Sequence, residues 1–100
     1  MVKHIVMWQL HEHAEGRSKL ENANRVKARL EALAESIPEI KLLEVGLNIT
    51  SDPDACDIVL YSEFDSREDL QTYQDHPDHV AFKKFIQPIR SEKRVIDYLI

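Results

Sequence analysis

Residues 2 to 10 alternate: Val2, His4, Val6, Trp8 and Leu10 share one face, and Lys3, Ile5, Met7 and Gln9 share the other. A period of two in a run rich in β-formers predicts a strand. Its second face is half apolar, so some burial is expected on both sides. From Ser18 to Ser36 the period becomes helical. Leu20, Ala23, Val26, Leu30, Leu33 and Ile37 step by three or four and form one stripe, with Lys19, Glu21, Arg25, Lys27, Arg29, Glu31 and Glu35 as a solvated face. Ser18 with Glu21 makes a capping box, and Pro38 ends the helix because it cannot continue the hydrogen-bond ladder.

Ile40 to Thr50 reads as a second strand, and Asp57 to Phe64 as a third. Between them Thr50-Ser51-Asp52-Pro53-Asp54 is turn chemistry, so the two strands should form an antiparallel hairpin. Asp65 to Asp69 is an N-cap signal for a helix carrying Leu70 and Tyr73, which His76-Pro77 interrupts. Pro77 suits the first turn of a further helix through Val80, Phe82, Phe85 and Ile86, and Pro88 ends it. Arg94 to Ile100 is a last strand, with Val95, Asp97 and Leu99 on one side and Arg94, Ile96, Tyr98 and Ile100 on the other.

The order β-α-β-β-α-β predicts an α+β, ferredoxin-like protomer: a four-stranded antiparallel sheet with the helices on one face. The alternation then leaves Ile5, Met7, Leu43, Val45, Leu47, Val59, Tyr61 and Ile96 on the other face. Exposing them would cost about 25 cal/mol per Å². A second copy of the same sheet would cover them, which predicts a homodimeric α/β barrel.

Composition narrows this picture. The 100 residues suit one domain over 1–100, and 43% apolar residues allow a core. The net charge of −5, with acids and bases interspersed, argues against a nucleic-acid surface and against a polybasic membrane contact. No apolar run approaches a membrane span, and the alternating start is unlike a signal peptide, so the expected compartment is cytoplasmic. Cys56 is the only cysteine and is expected to be a small buried strand residue.

Candidate chemistry concentrates at Tyr73-Gln74-Asp75-His76-Pro77-Asp78-His79. A helix break displaces side chains from the regular stripe, so one histidine can point between helix and sheet. The plainer alternative is that His76 caps the break and His79 lies on the surface. Asp97, on a strand with two apolar faces, needs a partner: a histidine, whose tautomer it would fix, or backbone donors or Arg94. His4 shares the helix-facing side with Val6 and Trp8, as a satisfied core residue or a catalyst. His11-Glu12-His13 has ligand-like spacing but no fourth ligand, and Asp52, Asp54 and Asp57 lack a calcium-loop pattern, so no metal is expected. Glycine-rich phosphate loops and nucleophile elbows are absent, and no cofactor is implied. Proton transfer in an apolar pocket is the enzymatic option that remains.

The Met1-Val2-Lys3-His4 opening, Ile37-Pro38, the Tyr73 to Val80 segment, Phe82 and Asp97-Tyr98 resemble the stress-responsive dimeric α/β-barrel domain (Dabb) family almost end to end. The resemblance implies a homodimer with a pocket between sheet and helices. Some plant members resemble polyketide cyclases, which close a linear polyketide by aldol condensation. Carried over, His79 would be the base, Asp97 its orienting partner and Tyr73 the phenol, with His4 a further pocket residue. Leu30 stands where those cyclases present a second tyrosine, and Trp8 where a leucine is expected beside His4. With His76, these two complete the candidate ligand contacts. Expected partners are a second copy and a small apolar carbonyl or aromatic compound. The alternatives are a non-catalytic structural or interaction protein and, by fold analogy only, a cofactor-handling monooxygenase.

Overall fold

The computed structural model describes all 100 residues, Met1 to Ile100. The alternating N-terminal segment forms β1 (Val2–Leu10), and all five of its helix-facing residues, Val2, His4, Val6, Trp8 and Leu10, are buried. A small hairpin follows that the pattern did not announce, β2 (His13–Ala14) and β3 (Arg17–Ser18). Glu15 and Gly16 both take positive φ at its tip, the geometry of a tight two-residue turn.

Helix α1 (Lys19–Ser36) begins with the expected capping box. Glu21 N–H donates to Ser18 Oγ, and Ser18 N–H donates to the Glu21 carboxylate. Its buried stripe is Asn22, Ala23, Val26, Leu30 and Leu33, continued by Ile37. Leu20 does not join this stripe. It lies about 120° around the helix from Val26 and is 68% exposed. Asn22 is fully buried instead, donating from Nδ2 to the Ala14 carbonyl and so tying the small hairpin to the helix.

The remaining elements are β4 (Leu42–Leu47), β5 (Ile58–Phe64), α2 (Arg67–Asp75), α3 (Pro77–Ile86) and β6 (Arg90–Leu99). The four long strands form one antiparallel sheet in the order β4-β5-β1-β6. β4 and β5 pair as the expected hairpin, although β4 is shorter than the 40–50 reading and leaves Ile49 in solvent. Cys56 lies in the loop before β5 and is half-buried, not a strand residue.

Pairing register corrects the assignment of faces. Val45 is opposite Leu60, and Leu60 is opposite Val6, so Leu43, Val45 and Leu47 face the helices and pack on the core. The open face keeps Ile5, Met7, Val59, Tyr61 and Ile96, and gains Leu42 and Tyr98. Lys3, Tyr61 and Glu63 form a hydrogen-bonded polar group on that face. α1 packs over β4, α2 approaches β1 and β5, and α3 packs on α1 and α2 and reaches β1 through Phe82 against Trp8, whereas no helix packs closely on the edge strand β6.

Candidate active site

The uncovered edge creates a cleft. β6 starts four residues before the expected Arg94, so it runs the whole length of β1. On the helix-facing side its register sets Lys93 opposite Trp8, Val95 opposite Val6 and Asp97 opposite His4. Because the helices stop at β1, a space of about 690 Å³ remains between β6 and α2–α3. His4, Val6, Trp8 and Val95 line its sheet side, and Tyr73, His79, Phe82 and Ile86 its helix side. Trp8 packs edge-on against Phe82 at 6.0 Å between ring centroids, and the space persists beside it.

The helix break positions His79. His76 closes α2 with its N–H donating to the Tyr73 carbonyl, and caps α3 by accepting the Asp78 N–H at Nδ1, 3.1 Å. Pro77 occupies the first position of α3, where no N–H is needed. Chain direction therefore changes between Tyr73 and His79, and the two rings meet with centroids 4.4 Å apart. His4 approaches the other side of the cluster, 5.9 Å from the Tyr73 ring.

Hydrogen bonding fixes both imidazoles. His79 Nδ1 lies 3.1 Å from the Gln74 carbonyl oxygen, which can only accept, so Nδ1 carries the proton. Nε2 of the neutral ring then holds the free lone pair. Burial pulls the His79 pKa below its ordinary value of 6.5, opposed by the Gln74 bond and assisted by the nearby Lys83, His4 and Lys93. His4 Nδ1 donates to Asp97 Oδ1. Burial alone raises the Tyr73 phenol well above its ordinary value of 10.0. Tyr73 is 1% exposed and Trp8 3%, and neither Tyr73 Oη nor Trp8 Nε1 has a protein hydrogen-bond partner.

The expected residues are thus partly gathered. His4, Trp8, Tyr73 and His79 line one cleft, and Asp97 borders it through His4. Asp97 is paired with His4, not with His79, and its side chain is 38% exposed on an edge strand, not enclosed between two buried faces. His76 serves the helix junction and does not line the cleft. Leu30 is fully buried in the core and does not line it either. The segment 11–13 gathers no metal site, and Glu12 pairs with Lys19 at 3.2 Å. Sequence reasoning missed Arg90 and Lys93, because both precede the expected start of the last strand, and it did not single out Lys83 or Lys84.

Comparison with known proteins agrees with this architecture. The model of the Stress responsive A/B Barrel Domain family, Dabb, matches residues 2–100. A stress-response A/B barrel domain-containing protein of Arabidopsis thaliana is 29% identical over 100 residues, covering 99% of this chain and 36% of that relative; the chain spans about a third of its length. A dimeric protein of unknown function with a ferredoxin-like fold from Bacteroides fragilis superposes with a TM-score of 0.86 at 37% identity, covering 99% of this chain and 95% of that one. A hydroxynitrile lyase from Passiflora edulis has a TM-score of 0.80 at 21% identity, covering 99% and 92%; that likeness bears on the fold alone. This chain belongs to the Dabb family of stress responsive A/B barrel domains.

Proposed function

We propose that the cleft binds a small aromatic or carbonyl compound and transfers a proton on it, as a polyketide cyclase-like enzyme does. The carrying observation is the pair of buried, unpartnered donors, Tyr73 Oη and Trp8 Nε1, beside a histidine whose Nε2 is free. A buried donor left unpaired costs about 1–3 kcal/mol, and a ligand oxygen would remove that cost. His79 Nε2 takes a proton from the carbon next to a carbonyl. The C–H electron pair becomes the carbon–carbon double bond of the enolate, the carbonyl π pair moves to oxygen, and the Tyr73 hydroxyl donates to the resulting oxyanion. The high phenol pKa keeps Tyr73 protonated, as a donor must be. His4, oriented by Asp97, is a second imidazole at the same oxygen or at the returning proton.

We also propose that a second copy covers the open sheet face, closing the α/β barrel. Ile5, Met7, Val59 and Ile96 form an apolar strip across three adjacent strands with no helix over it, and leaving it in water is unfavourable. The dimeric protein of Bacteroides fragilis supports this reading.

The test is deuterium exchange at the α-carbon of phenylacetone, followed by proton NMR. Exchange above the buffer rate in the wild type, lost in His79→Gln, is expected. Exchange no faster than buffer alone removes the catalytic part of the proposal and leaves a binding cleft.

A further inference from the structure

Four cations line the cleft, Lys83 and Lys84 on α3 and Arg90 and Lys93 on β6, with Lys83 and Arg90 close enough to Lys93 to act on its charge. None of the four makes a salt bridge, although the chain carries 18 acids and a net charge of −5. Elsewhere on the molecule Lys3, Lys19, Lys41 and Arg94 pair with a carboxylate, and Arg17, Arg25, Lys27, Arg29 and Arg67 are unpaired as well, so what sets the cleft cations apart is that four of them line one space with a single acid. Asp75 is the single acid lining the cleft, on α2, and it accepts from Gln71. Burial, followed by the neighbouring Lys83 and Arg90, holds the Lys93 ammonium below its ordinary value. Crowding like charges along an apolar cleft is unfavourable unless something negative is to be placed there.

Resting on the cleft reading above, we infer that the ligand is an amphipathic anion: an apolar or aromatic body against Trp8, Phe82 and Val95, with a carboxylate or similar group held by Lys83, Lys93 and Arg90. Trp8 and Tyr73, which both line the cleft, carry unpartnered buried donors, and these point independently to a polar ligand atom. The ligand would therefore carry two polar features, an acceptor oxygen at those donors and an anionic end at the cations.

Trp8 is the only tryptophan, so its emission reports binding in the cleft directly. The probes are 4-phenylbutyrate and its neutral amide, titrated at low salt. The acid should bind about fivefold or more tighter, and added salt should shrink the difference. The double variant Lys83→Gln/Lys93→Gln should remove most of the acid's advantage over the amide, while the distant pair Lys27→Gln/Lys41→Gln, with the same change in net charge, should not. Equal binding of acid and amide to the wild type overturns the anion inference and leaves the cleft standing. So does a preference left undiminished by Lys83→Gln/Lys93→Gln. No change in Trp8 emission with either probe overturns the cleft reading itself and the inference with it.

Discussion

His4 and Asp97 stand directly opposite each other in the β1–β6 pairing, and the Nδ1–H of His4 donates to the Asp97 carboxylate. His4 is buried, so removing its partner would leave a buried donor unpaired. Asp97→Ala should therefore lower stability by about 1–3 kcal/mol, read by urea denaturation. A change within experimental error would mean that solvent replaces the carboxylate without loss.

Tyr73 separates stability from function. Its hydroxyl is buried without a partner, so the fold gains nothing from it. Tyr73→Phe should raise stability by about 1–3 kcal/mol, while slowing α-carbon exchange about 10²-fold. A marked loss of stability would show that the hydroxyl has an internal partner.

The depressed pKa of His79 predicts a pH effect with a definite sign. The unfolded chain binds the proton near pH 6.5, and the folded protein only at lower pH. Between those two values the unfolded state holds more protons, so stability falls as pH drops from about 6.5 and levels off below the folded pKa. His79→Gln should flatten that part of the curve. Thermal melts of both proteins from pH 7.5 to pH 5 check this, and parallel curves would contradict it.

The open sheet face predicts an association defect. Ile96 lies opposite Ile5 at the middle of the apolar strip. Ile96→Asp should convert a dimer at micromolar concentration into a folded monomer, measured by sedimentation velocity with circular dichroism as the folding control. A variant that sediments like the wild type would place the contact elsewhere.

Much of this was legible in the chain because strand alternation and helix caps are local. Val2 to Leu10, the Ser18–Glu21 box and the His76-Pro77 break all needed only neighbouring residues. Which side of a strand faces the helices is not local. Leu43, Val45 and Leu47 alternate correctly, but only pairing with Ile58, Leu60 and Ser62 puts them inward. The partner of Asp97 was hidden in the same way, since His4 lies 93 positions away and meets it through the β1–β6 register. The bond from His79 to the Gln74 carbonyl depends on how far the break turns the chain, which residue types alone do not specify. Arg90 and Lys93 were missed because polar residues at the start of an edge strand look like loop.

The most direct test of the site is the protonation of His79, read by long-range proton–nitrogen-15 correlation across pH. A neutral ring protonated at Nδ1, with a midpoint below 6.5, is the predicted result. A ring protonated at Nε2, or one titrating at or above 6.5, would contradict the assignment of His79 as the base.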